Sequence, residues 1–235
     1  MKKLLTMILF TVLTVGGFAY SKSKHHSSKE FVTKVSTDNL LAISWQNSFC
    51  ETHRKKRECR NVPATAYSAS HFTLHGLWPQ PRNKVNCRGE KKVFLEKKLY
   101  QKLIEVMPAA KSGLHKHEWK KHGTCYGKKA DRYFEDSISL VEKINNSEVQ
   151  KLFAKNIGKS LSKKSIMLAF DKSFGKGSGR KVKMMCHKGL ISELQINLSG
   201  EITPNSDISK LLKSAKNAKG GCRKGKVDKV GFSKR

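Results

Sequence analysis

His71-Phe72-Thr73-Leu74-His75-Gly76-Leu77-Trp78-Pro79 opens as an alternating stretch and reads as a β-strand over 71–75, halted by Gly76 and Pro79. A second segment, His117-Glu118-Trp119-Lys120-Lys121-His122-Gly123-Thr124-Cys125, reads as a short helix over about 115–122 that Gly123 ends. Each segment sets a histidine at the edge of a glycine break: His75 before Gly76, His122 before Gly123. A lone histidine is an ordinary surface or core residue, but two such clusters point to chemistry. Metal ligation is the first chemistry to test. A zinc-protease helix needs His-Glu-x-x-His, which puts both rings on one face. Here the histidines stand five apart, and five steps of about 100° leave them about 140° out of line. Glu118 and His122 share a face instead, as do His117 and Lys121. That pairing suits acid–base work and anion binding.

The rest of the chain narrows the setting. It has 235 residues with 48 Lys and Arg against 18 Asp and Glu, a formal charge of +30. A hydrophobic content of 37% with 11 Phe is enough for a core, which argues against disorder. The charge calls for polyanionic partners: nucleic acid, anionic membrane or acidic polysaccharide. Lys2-Lys3, the apolar run from Leu4 to Ala19 and the small residues at Ala19 and Ser21 read as a secretory signal peptide over 1–21. Cleavage there removes two lysines. Residues 22–36 read as a flexible basic lead-in, and 37–235 as one catalytic domain with no membrane insertion. Export, to the periplasm or beyond, fits the six cysteines at 50, 59, 87, 125, 186 and 222. Six cysteines allow about 15 pairings into three disulfides. Zinc is the weaker reading, because no Cys-x-x-Cys pair exists.

Helices and strands mix without regular alternation, which predicts an α+β fold with a central antiparallel sheet flanked by helices. Strands are expected over 38–49, 71–75, 181–186 and 190–198. Apolar residues at helical spacing (Phe94, Leu95, Leu99, Leu103 and Val106) predict a helix over 91–107, stopped by Pro108. Asp131 is expected to cap a helix bearing Phe134, Ile138, Val141 and Ile144. Ser147 starts the next, with further helices over 162–170 and 207–215. Gly175-Lys-Gly-Ser-Gly179 lacks the Gly-Lys-Ser/Thr end of a phosphate-binding loop and reads as plain loop. The C-terminus reads as basic and loose.

The two histidine segments resemble the two signatures of the ribonuclease T2 family: a strand ending in F-T-x-H-G-L-W-P and a helix reading H-E-W-x-K-H-G-T-C. They stand here at Phe72 to Pro79 and His117 to Cys125. Ser44-Trp45-Gln46 with Cys50, and the late Cys186 with Cys222, extend the resemblance over about residues 38–230. The lysine-rich loops are most like the bacterial periplasmic ribonuclease I-like branch. The resemblance implies a disulfide-stapled fold paired Cys50–Cys59, Cys87–Cys125 and Cys186–Cys222. It also implies an endoribonuclease of low base specificity that uses no cofactor and no metal. Its substrate is single-stranded RNA; DNA, which lacks the attacking 2′-OH, is bound but not cut. His75 and His122 are the implied acid and base, assisted by Glu118 and Lys121. His117 and Trp78 are the implied substrate-binding residues, and the protein is expected to be a monomer. A nucleic-acid-binding protein that had lost catalysis is the rival reading, and the five intact polar positions argue against it.

Overall fold

A computed structural model describes residues 34–232. The expected signal peptide and most of the basic lead-in lie outside them. The lead-in has ended by Ser36, which is buried and donates its backbone N–H to Tyr126.

Strand β1 (Asp38–Ser44) starts the fold. Leu41, Ala42 and Ile43 are all fully buried, because the strand has a neighbour on each side and layers on both faces. It ends sooner than expected. Trp45 breaks the extended run, and Gln46–Thr52 forms α1 instead of more strand. The Trp45 ring lies against Phe72 and Phe153, and its indole N–H donates to the Asp228 carbonyl at 2.7 Å. Deep anchoring of this one side chain therefore turns the chain.

Strand β2 (Thr73–Pro79) pairs antiparallel with β1 and runs through Gly76, where a halt was expected. The pairing skips His75: Ile43 faces Leu74, and Ala42 faces Gly76. That bulge restores the alternation. Leu74 and Leu77 both face the core, although three positions apart, and His75 is re-aimed out of the ladder.

Helix α2 (Lys97–Val106) is shorter than the expected 91–107, and Phe94 is 84% exposed. The segment before it serves as a strap on α3 (Leu114–Lys121): Cys87 is bonded to Cys125, and the Trp119 indole donates to the Glu90 carbonyl at 2.8 Å. Helix α4 (Ala130–Asn145) buries Phe134, Ile138, Val141 and Ile144 as their spacing predicts. Lys129 is its cap, so Asp131 sits in the first turn, where its charge meets the positive end of the helix dipole. Ser147 caps α5 (Glu148–Lys155) through the Val149 N–H, as expected.

A short β3 (Ser160–Ser162) leads into α6 (Lys163–Phe174). Strands β4 (Val182–His187) and β5 (Leu190–Ser199) form the expected antiparallel pair, with a shift that skips Ser192. The shift explains why Ile191 is buried together with Leu194, Ile196 and Leu198. Asp207 caps α7 (Ile208–Ser214). The C-terminal segment is not loose. Strand β6 (Lys224–Lys226) pairs with β3, and Val227 and Asp228 are buried.

The sheet runs β2-β1-β5-β6-β3, with β4 also on β5. It is antiparallel except where Leu190 meets Lys226 in parallel. Helices flank it, and one continuous apolar core joins both layers. Three disulfides staple it: Cys50–Cys59, Cys87–Cys125 and Cys186–Cys222.

Candidate active site

The bulge in β2 and the C-terminal end of α3 bring the two histidine segments together. Gly76 makes the approach possible. A methyl group there would collide with the Glu118 carboxylate and the Trp78 indole nitrogen. Gly123 does the same for the Trp119 ring. Each glycine in the two signatures thus leaves space for a side chain of the helical one.

Glu118 is 2% exposed and takes a 2.7 Å hydrogen bond from the Trp78 indole. Burial raises its pKa, against the opposing pull of His75, the Trp78 bond, His117 and Lys121. Its other oxygen lies 3.9 Å from His75 Nε2, too far for a hydrogen bond but close enough for strong attraction. On the far side, His75 Nδ1 is 2.6 Å from the Glu193 carboxylate. Burial works against a charged His75 ring. The Glu193 bond, the Glu193 charge and Glu118 outweigh it and hold His75 above its ordinary value.

His122 has the opposite surroundings. It follows the last turn of α3, 8% exposed, and the Trp78 ring stacks on it at 5.3 Å. Its Nδ1 is buried and has no hydrogen-bond partner among the described residues. Burial, then the charges of Lys121, His117 and His75, push it down to about 4. The two rings are thus pushed in opposite directions: His75 toward its charged form, and His122 toward its neutral one.

His117 and His75 line one pocket of about 260 Å³ with Phe49, Lys56 and Leu114. A second pocket, of about 290 Å³, is lined by Trp78 with Gln80, Arg82, Lys183 and Asn197. His117 lines the first of these pockets, and its charge also reaches His122. Trp119 is core. His71 stacks on Tyr67, outside this cluster. Among the described residues, no three His, Cys, Asp or Glu side chains stand together as a metal-ligand set.

The site residue not foreseen is Glu193. Its signal was a charged residue in a strand that neighbours enclose, because Glu is rarely buried without a partner.

The profile of the Ribonuclease T2 family matches residues 38–216. The chain is 32% identical over 200 residues to Ribonuclease I of Escherichia coli, covering 69% of this chain and 75% of that one. The chain belongs to the Ribonuclease T2 family. It is a T2-family endoribonuclease with the mixed α+β fold of that family. Ribonuclease 1 of Arabidopsis thaliana is 29% identical over 188 residues, 73% of this chain and 76% of its own. Among solved structures, the self-incompatibility-associated SF11-RNase of Nicotiana alata superposes with a TM-score of 0.57 at 21% identity. It covers 85% of this chain and all of its own. RNase NT in complex with 5′-AMP gives 0.55 at 19%, covering 82% and 98%. At those identities the two structures speak for the fold. His75, His117, Glu118, Lys121 and His122 all lie within the matched residues.

Proposed function

We propose that this T2-family enzyme cleaves single-stranded RNA by internal transphosphorylation without a metal ion. The observation that carries the reading is the opposed environment of the two histidines. Neutral His122 takes the proton from the ribose 2′-OH, whose oxygen then attacks the adjacent phosphorus. Protonated His75 gives its proton to the departing 5′ oxygen, which would otherwise leave as an alkoxide. The Lys121 ammonium stabilises the charge that builds on the phosphorane-like transition state. Glu118, buried and steered by Trp78, supports the His75 proton and holds the site's geometry. His117 contacts phosphate from the pocket it shares with His75. The pocket lined by His75 and the pocket lined by Trp78 suit the two nucleosides flanking the scissile bond. The product is a 2′,3′-cyclic phosphate. The same pair in exchanged roles adds water to it and gives a 3′-phosphate end.

The charge of +30 gathers phosphate backbone unspecifically, so DNA binds but is not cut for want of a 2′-OH. The enzyme acts as an exported monomer, periplasmic or secreted. The lysine-rich amino terminus with its apolar run and the likeness to the Escherichia coli enzyme support export. No helix among the described residues is long and apolar enough to cross a membrane.

The test is incubation with RNA and with DNA in excess EDTA, resolving the product ends. RNA cleavage with cyclic phosphate ends and intact DNA is expected. Loss of RNA cleavage in the chelator overturns the metal-free route.

A further inference from the structure

Glu193 and His75 sit on strands that are not neighbours. Strand β1 lies between β2 and β5, so the 2.6 Å bond crosses a whole strand. The β1 residues facing the same side there are Ala42, paired with Gln195, and Ser44, paired with Glu193. Both are small. The bulge at His75 and the shift at Ser192 flank the contact on the two outer strands. The Glu193 carboxylate is only 12% exposed and is held from below: the Gln195 side-chain amide donates to its other oxygen at 2.8 Å.

The choice of partner is informative. Cations outnumber anions heavily in this chain, and other carboxylates such as Glu142, Glu148 and Asp136 pair with lysine. Glu193 pairs with a histidine, and with the ring nitrogen on the side away from Glu118. A carboxylate accepting from Nδ1–H fixes the tautomer and ring orientation of an imidazole, so only the other nitrogen exchanges protons with a substrate.

We propose that Glu193 is a positioning residue for the RNA-cleaving reaction. It holds the His75 ring through Nδ1, leaves Nε2 as the only nitrogen that delivers a proton, and keeps that ring charged until the leaving oxygen arrives. The role rests on the assignment of His75 as the acid. Every charged group facing His75 enters the balance. Glu193 acts from β5, Glu118 and Lys121 act from α3, and His122 acts from just beyond it. Lys56, Glu58 and His117 line the adjoining pocket. Glu193 is the one that bonds the ring directly.

The test compares Glu193→Gln and Glu193→Ala with wild type in kcat/KM against pH, with thermal unfolding as a folding control. Gln keeps an acceptor of the same size but loses the charge. The basic limb, where His75 loses its proton, should move about one pH unit lower, with a modest loss at the optimum. Ala loses both charge and orientation, and kcat should fall about 10- to 100-fold with KM little changed. A purely structural role would lower the unfolding temperature and leave the limb in place. Folded variants with an unmoved basic limb and wild-type kcat overturn the proposal. In Glu193→Gln, nitrogen-15 shifts of the His75 ring decide the matter even if Ala fails to fold: an unchanged pKa and tautomer refute the role. The broader reading fails separately, if His75→Ala or His122→Ala retains turnover.

Discussion

The two histidines of the site are within one aromatic ring of each other, yet they occupy different electrostatic worlds. His75 projects from a strand bulge between Glu193 and Glu118 and also touches the edge of Trp78. His122 is tucked behind the face of that same Trp78, with Lys121 beside it. Identical side chains thus acquire opposite proton preferences: two carboxylates pull one up, and burial and cations push the other down. The proposed acid and base roles rest on these neighbours, not on the rings themselves.

The largest effect should come from deleting either ring. His75→Ala and His122→Ala are each expected to lower kcat by about 10²–10⁴-fold while RNA binding stays near wild type. The double variant should be little worse than either single one, because the rings act as a unit. Additive losses in single-turnover kinetics would break the pairing.

Lys121→Met comes next. In the proposed mechanism it removes transition-state stabilisation, for an expected loss of about 10²–10³-fold in kcat. Lys121 also holds the His122 pKa down, so the acid limb of kcat/KM should move to higher pH in this variant. The pH profile distinguishes that double action from loss of one more surface charge.

Two substitutions affect the frame more than the chemistry. Replacing Cys87 and Cys125 with serine should cost about 2–4 kcal/mol in denaturant unfolding. Activity per folded molecule should also fall, because the bond ties the end of α3 to the strap over it. Trp78→Phe keeps an aromatic face against His122 but leaves the Glu118 oxygen without its indole donor. Stability should drop by about 1–3 kcal/mol, with a smaller change in kcat than for Lys121→Met.

Much of this was legible in the sequence, and the boundary between what was and was not is physical. Local patterns carried well. The α4 stripe of Phe134, Ile138, Val141 and Ile144 and the cap at Ser147 follow from helix geometry. Features that depend on contact between remote segments did not. The bulge that continues β2 past Gly76 exists because β1 offers a ladder to rejoin. Trp45 ends β1 because it reaches Asp228, 183 residues away. The basic tail becomes strand β6 because β3 pairs with it. The conspicuous omission in the site, Glu193, belongs to the same class. It meets His75 across an intervening strand, a relation that neither spacing nor periodicity encodes.

Site-resolved NMR titration of the two imidazoles in the free enzyme tests the division of labour most directly. His75 should titrate above its ordinary value of 6.5, and His122 should stay neutral down to about 4. The rate profile should then have its acid limb set by His122 and its basic limb by His75. The reverse order, with His122 titrating above His75, would contradict the account and exchange the two roles.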